Sequence, residues 1–201
     1  MKPEPIAGAV KRAADLYGKI IRKRTDVRNA LDRLIPDLDG TGVRTADLII
    51  EAVPEKLELK QKVYAGLEPQ MKPGAILATN TSSIPLQDLR TTLQSPQRLV
   101  GLHFFNPVSR LQLVEVVSHD AVDPQILAEA MAFVGAIDRL PLPVKSSPGF
   151  LVNRALTPYM NSCPDRVSKL CSIRAMSLSS MQAAAWSLRR RPCEGGNDGA
   201  H

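Results

Sequence analysis

Hydrophobic positions along the chain change repeatedly between helical spacing and short continuous runs. Apolar residues recur at helical spacing behind Pro5, which predicts a first helix over residues 6–24. Beyond it, short runs rich in β-branched residues alternate with longer amphipathic stretches. Strands are predicted at 46–53, 75–79, 99–105, 113–117 and 142–145. Helices are predicted at 55–67, in a short segment opened by Pro85, from Asp123 to about 138, and at 151–160.

This alternation predicts the fold class. Strands separated by helices are the repeating unit of sheets whose strands run parallel. The chain has 201 residues, enough for one domain or one domain and a fraction. We therefore expect an α/β domain built on a largely parallel sheet.

The composition changes abruptly after residue 160. All three cysteines and Trp186 lie there, with many serines and the run Arg189-Arg-Arg. The spacing of Cys163, Cys171 and Cys193 fits no metal-binding pattern, and we assign these cysteines no function. We predict an atypical, disordered tail over residues 161–201 and no metal site.

Composition and charge narrow the class of protein. Apolar residues make up 44% and charged residues 23%, as in a globular protein that folds in water. The N-terminus lacks the apolar segment of a signal peptide, and no apolar run reaches the roughly 18 residues of a membrane span, so we expect a cytoplasmic protein. Much of the net charge of +6 lies between Lys11 and Arg28 with only Tyr17 to stack on a base. This favours a solvated helix face over a nucleic-acid site, and leaves open an attraction for a phosphate-bearing ligand.

Two groups of residues carry candidate chemistry. His103 lies on a largely apolar predicted strand, and Glu115 lies between valines on the next one, which is typical of a base and its orienting carboxylate on neighbouring strands. A histidine that serves only the core is the alternative. Asn80-Thr-Ser-Ser follows a predicted strand end, where open α/β sheets place their ligands, although the same residues also make ordinary capped turns.

Five segments together resemble the L-3-hydroxyacyl-CoA dehydrogenase family, most closely the dehydrogenase part of the multifunctional fatty-acid oxidation proteins. They are Asp47-Leu-Ile-Ile-Glu-Ala-Val, Asn80-Thr-Ser-Ser, Gly101-Leu-His-Phe-Phe-Asn-Pro-Val, Leu113-Val-Glu-Val-Val and Ser147-Pro-Gly-Phe-Leu-Val-Asn-Arg. The resemblance implies a partial Rossmann-type, doubly wound NAD-binding domain over 1–145 and the start of a C-terminal helical domain over 146–160.

The resemblance also implies a reaction and its residues. The 3-hydroxyl of a 3-hydroxyacyl-CoA would be oxidised to a 3-oxo group, in fatty-acid oxidation, while hydride passes to NAD. His103 would take the hydroxyl proton, because imidazole titrates close to neutral pH, and Glu115 would hold its tautomer. Ser82 and Asn153 would hydrogen-bond the substrate oxygen or thioester.

Further residues carry over to the cofactor side. Ala52, Glu55, Lys60, Asn80 and Asn106 would lie near the nicotinamide half of NAD. Alternatively, Glu55 and Lys60 are surface charges of a helix, and Asn106 serves only to form a turn before Pro107. Members of the family are usually dimeric or part of a multifunctional complex.

One family feature is missing from the sequence. No Gly-x-Gly-x-x-Gly occurs in it, and neither does the strand that precedes this turn in the family. We therefore expect a homologue truncated at both ends, without its first βαβ unit, whose tail results from out-of-frame translation or is a chance extension. Such a chain would be weakly active or inactive alone. The alternative is a non-catalytic acyl-CoA-binding or protein-interaction remnant.

Overall fold

The computed structural model describes residues 3–161, so the predictions for residues 162–201 lie outside the described part. It opens with two helices that contact each other, α1 (Pro3–Ile20) and α2 (Arg24–Asp32). The single helix predicted over 6–24 is wrong in this respect. Lys23 is extended, with φ −93° and ψ 128°, and this breaks the helix although apolar spacing continues through the break.

Five strands form one sheet in the order of the chain. They are β1 (Leu48–Glu51), β2 (Ile76–Thr79), β3 (Leu99–Phe104), β4 (Leu113–Ser118) and β5 (Leu140–Lys145). The first three are parallel, β3 and β4 are antiparallel, and β4 and β5 are parallel. The α/β class and the largely parallel sheet are thus confirmed.

Helices cover both faces of this sheet. They are α3 (Leu57–Leu67), α4 (Leu86–Leu89) and α5 (Pro124–Ala136), and α6 (Val152–Asn161) follows the last strand. Tyr64 of α3 and Leu86 of α4 belong to the core on one face, and Ile126 of α5 belongs to the core on the other. As predicted, Asp123 caps α5, its side chain accepting from the Gln125 amide at 2.8 Å. No helix within residues 3–161 has the length and apolarity needed to cross a bilayer.

The outer strand β5 carries two prolines. Its sequence is Leu-Pro-Leu-Pro-Val-Lys, and Leu140 donates its amide to the Gln112 carbonyl beside β4 at 2.9 Å. Amides alternate in direction along a strand, so the nitrogens of Pro141 and Pro143 face away from β4. Neither nitrogen carries a hydrogen, and the outer border of β5 therefore lacks these two donors.

His119, for which no role was predicted, is buried just after β4. Its Nε2 lies 3.1 Å from the Leu99 carbonyl, and its Nδ1 accepts from the Ala121 amide at 3.2 Å. These contacts fix a neutral ring with its proton on Nε2. Burial, and next the charge of Arg90, hold the pKa of His119 below its ordinary value, against the Leu99 carbonyl and Asp120.

Candidate functional site

The antiparallel pairing of β3 and β4 places His103 directly opposite Glu115. Directly opposed residues share a face of the sheet, here the face covered by α3 and α4. His103 Nδ1 lies 2.7 Å from Glu115 Oε2, and the two residues are only 6% and 0% exposed. A carboxylate accepts hydrogen bonds only, so Nδ1 of the neutral ring carries the proton and Nε2 presents a lone pair.

The other carboxylate oxygen of Glu115 binds backbone amides where α6 begins. Oε1 accepts from the amides of Leu151 and Val152 at 3.0 and 2.9 Å. First-turn amides have no partner within their own helix, and the positive end of the helix dipole favours a carboxylate. Glu115 therefore joins the imidazole to the helix that carries Asn153.

Two phenylalanines flank the imidazole. The ring centre of Phe105 lies 4.5 Å from that of His103, and the ring centre of Phe150 lies 5.7 Å away at 60°. Phe150 is buried, whereas Phe105 is half-buried. The His103 imidazole thus lies between Phe150, which belongs to the core, and the half-buried Phe105.

Ser82 and Asn153 meet beside this pair. The Asn153 side chain donates from Nδ2 to the Ser82 carbonyl oxygen at 3.0 Å. The Ser82 amide donates to Glu55 Oε1 at 2.9 Å, and its hydroxyl lies 3.4 Å from the same oxygen. The structure therefore brings together Ser82, Asn153 and Glu55, three residues predicted from distant parts of the sequence.

Glu55 anchors the loop that follows β2. Besides Ser82, its Oε1 accepts from the hydroxyl of Thr81 and from the amide of Ser83 at 3.1 Å. Burial alone would raise the pKa of the Glu55 carboxyl. The Thr81 hydroxyl, the Lys60 charge and the loop amides outweigh burial, and the pKa lies below its ordinary value. Glu55 is thus ionised near neutral pH and holds the loop in place.

Beneath this loop lies a charged network that the sequence did not predict. Glu51, at the end of β1, accepts from Lys60 Nζ and from the Tyr64 hydroxyl, each at 2.7 Å. It also accepts from the Thr79 hydroxyl at 2.9 Å and the Val53 amide at 2.6 Å. A glutamate within a buried apolar strand was the available signal, because such a charge requires partners.

The network changes how Lys60 and Tyr64 can act. Lys60 is fully buried, and its Nζ also lies 3.6 Å from Glu55 Oε2. Burial, and next the charge of Glu51, raise the pKa of Tyr64 well above its ordinary range, so its hydroxyl remains a donor. Lys60 thus lies buried between the carboxylates of Glu51 and Glu55.

The remaining predicted cofactor residues follow the strand ends. Ala52 comes directly after β1, and Asn80 comes directly after β2. Asn80 Oδ1 accepts from the Phe104 amide at 3.0 Å, which ties the end of β2 to the end of β3. Asn106 is exposed two residues after β3. Within residues 3–161, no three His, Cys, Asp or Glu side chains are grouped closely enough to hold a metal ion.

Comparisons with known proteins agree with this geometry. The family model of the 3-hydroxyacyl-CoA dehydrogenase NAD-binding domain matches residues 4–147. The fatty acid oxidation complex subunit alpha of Vibrio vulnificus is 37% identical over 160 residues, which cover 78% of this chain and 23% of that protein.

Solved structures give the same result. 3-Hydroxybutyryl-CoA dehydrogenase from Escherichia coli matches with a TM-score of 0.73 and 34% identity, over 82% of this chain and 35% of that one. (S)-3-hydroxybutyryl-CoA dehydrogenase from Ralstonia eutropha matches with a TM-score of 0.74 and 30% identity, over 83% of this chain and 59% of that one.

The extent of these matches defines what they establish. The chain spans about a quarter of the length of its curated relative, and the matched part is the one that binds NAD in the family. The resemblance to the dehydrogenase part of fatty-acid oxidation proteins is confirmed, as is NAD as the family's cofactor. The chain therefore belongs to the 3-hydroxyacyl-CoA dehydrogenase family, through its NAD-binding domain.

Proposed function

We propose that the chain carries the catalytic residues that oxidise the 3-hydroxyl of a 3-hydroxyacyl-CoA to a ketone, with NAD as the hydride acceptor, and that its turnover alone is weak. The observation that carries this proposal is the buried contact of 2.7 Å between His103 Nδ1 and Glu115 Oε2. It leaves Nε2 of the neutral imidazole able to accept a proton. Membership of a family of NAD-dependent dehydrogenases gives that proton its source, the substrate hydroxyl.

In this mechanism the protein moves one proton and holds the resulting charge. His103 Nε2 takes the hydroxyl proton as the carbon gives up hydride. The imidazolium that forms is stabilised by Glu115, whose other oxygen stays bound to the Leu151 and Val152 amides. Ser82 and Asn153 lie together and orient the substrate oxygen or thioester.

The cofactor side is proposed along the carboxyl ends of β1, β2 and β3. Parallel strands bring these ends to one edge, where ligands of open α/β sheets bind. The small side chain of Ala52 leaves room for a ligand to approach the backbone after β1, and Asn80 and Asn106 offer amide groups. NAD supplies the hydride acceptor when bound. Glu55 and Lys60 support this edge from below, by holding the loop at 81–83.

The proposal is tested by NADH formation. The purified chain is mixed with NAD and 3-hydroxybutyryl-CoA, and absorbance of NADH is followed. His103→Asn and Glu115→Gln are expected to lower turnover by about 10² or more, the usual contribution of a positioned base. Glu58→Gln, at an exposed site on α3, is the matched control and is expected to leave turnover unchanged.

Two outcomes would contradict the proposal. Turnover that survives in His103→Asn would show that another group is the base. Thermal stabilisation by 3-hydroxybutyryl-CoA without any NADH would instead support the non-catalytic acyl-CoA-binding alternative.

We also propose that the chain works in a cytoplasmic assembly. The Vibrio vulnificus relative is named as a subunit of a complex. Leu151, just before α6, and Leu156, within it, are exposed and offer apolar surface for association. Light scattering after size-exclusion chromatography measures the assembled mass, and cell fractionation measures the location. A monomer at every concentration would contradict association of the chain with itself.

A further inference from the structure

The turn before α6 contains two consecutive left-handed residues. Gly149 has φ 73° and Phe150 has φ 49°. Glycine adopts this conformation freely, but in a bulky aromatic residue it strains the backbone. Asp138, after α5, is the other non-glycine residue with positive φ within residues 3–161. The conformation of Phe150 therefore needs compensation from the surrounding structure.

The turn that contains Gly149 and Phe150 orients the next two backbone amides toward the Glu115 carboxylate. Phe150 donates its amide to the Ser147 carbonyl at 2.9 Å, which closes the turn. Leu151 and Val152 then donate to Glu115 Oε1, and Ala155 donates to the Leu151 carbonyl as α6 begins. The left-handed pair thus reverses the chain immediately before the two amides that hold the carboxylate.

The side chain of Phe150 lies in the same site. The residue is 1% exposed and belongs to the core cluster that includes Leu86 and Val117, and its ring centre lies 5.7 Å from that of His103 in an edge-on arrangement. Burial of such a large apolar ring is favourable and offsets the backbone strain. The ring of Phe150 therefore contacts His103, and the turn that its backbone closes is followed directly by the two amides that bind Glu115.

We propose that Phe150 is a positioning residue for the His103–Glu115 pair. Its buried ring stabilises the left-handed turn, the turn holds Glu115 Oε1 on the α6 amides, and Glu115 Oε2 then fixes the proton on His103 Nδ1. Loss of the ring leaves the strain uncompensated, so the α6 amides leave the carboxylate and the carboxylate gains freedom to rotate. The consequence for turnover rests on the proposed function; the consequence for the pair does not.

Phe150→Leu tests this inference, because leucine keeps an apolar side chain in the core and removes the ring. In the 201-residue chain, nitrogen NMR of the His103 ring reports the tautomer, and hydrogen exchange reports the Leu151 and Val152 amides. We expect a loss of the Nδ1-protonated form in favour of a mixture, and exchange at both amides faster by about tenfold. Phe150→Met receives the same measurements if Phe150→Leu does not fold.

Leu89→Ala is the matched control, since Leu89 is fully buried in the same core cluster. A purely structural role for Phe150 predicts that both variants change exchange throughout the core and that neither changes the His103 tautomer. That result, or unchanged amides in Phe150→Leu, would overturn the inference. In the NADH assay, Phe150→Leu is expected to lower kcat about tenfold with KM within about twofold. If the unaltered chain forms no NADH, the proposed function fails while the two NMR measurements still decide the role of Phe150.

Discussion

Lys60 is the buried charge whose removal has the most readily calculated effect. Its Nζ lies 2.7 Å from Glu51 and 3.3 Å from the Val53 carbonyl, and the residue has no exposed surface. Lys60→Met preserves the length and apolar stem of the side chain. It leaves the Glu51 carboxylate buried without its cation.

The expected loss follows from the partners that Glu51 keeps. Removing one member of a buried ion pair costs about 3–5 kcal/mol of unfolding free energy. Glu51 retains three donors, from Val53, Tyr64 and Thr79, so the lower end applies, about 3 kcal/mol. For a chain of this size the loss corresponds to a Tm lower by about 6–12 °C.

Urea denaturation followed by far-ultraviolet circular dichroism measures this loss. Lys62→Met, two residues further along α3 and exposed, is the control and is expected to change the unfolding free energy by less than about 0.5 kcal/mol. Adding Glu51→Gln to Lys60→Met is expected to recover at least about 1 kcal/mol, because the unpaired charge is gone. A loss below about 1 kcal/mol, or strict additivity of the two substitutions, would refute this account of the network.

Three further predictions concern packing and pH. Gly101→Ala places a Cβ 2.7 Å from the Val117 Cβ and is expected to lower the unfolding free energy, measured by urea denaturation, by about 1–3 kcal/mol. A Cβ at Gly135 in α5 meets nothing within 4 Å, so Gly135→Ala is expected to raise the unfolding free energy by about 0.5–1 kcal/mol. The depressed pKa of His119 means that its stabilisation is complete above the ordinary value of 6.5 and is lost as pH falls below it, so the Tm of His119→Gln should depend less on pH in that window. The depressed pKa of Glu55 means that its contribution to the unfolding free energy is present above pH 4.5 and is lost as pH falls through the folded-state pKa. Glu55→Gln should remove that loss of stability at low pH. At neutral pH it should also accelerate hydrogen exchange at the Ser82 and Ser83 amides. Equal pH profiles of Tm for variant and parent would contradict either interpretation.

The sheet and the central pair could be predicted from the sequence because both follow from short-range patterns. Each predicted strand overlaps an observed one, since β-branched runs bounded by turn residues leave little choice of position. The segment between β3 and β4 is too short for a crossover, which requires antiparallel pairing and brings His103 opposite Glu115. The break between α1 and α2 was missed because neither proline nor glycine marks residues 21–23.

Other parts of the site depend on contacts that no local pattern contains. The amides bound to Glu115 come from a turn far along the chain, and the left-handed φ of Phe150 is set by the packing of its ring. Lys60 reads as a surface residue of an amphipathic helix, and only its approach to Glu51 shows that it is buried. The sequence and its family resemblance therefore supply candidate residues, and tertiary packing decides which of them are buried and which lie together.

The prolines of β5 give the sheet two borders of different kinds. At β5, the missing donors of Pro141 and Pro143 interrupt any ladder that an incoming strand could form. At the opposite border, the β1 sequence Leu-Ile-Ile-Glu contains no proline, and no strand within residues 3–161 pairs with its outer side. The two borders thus differ in hydrogen-bonding capacity: the border at β1, next to the carboxyl ends that form the proposed cofactor edge, keeps its backbone donors, and the border at β5 lacks two of them.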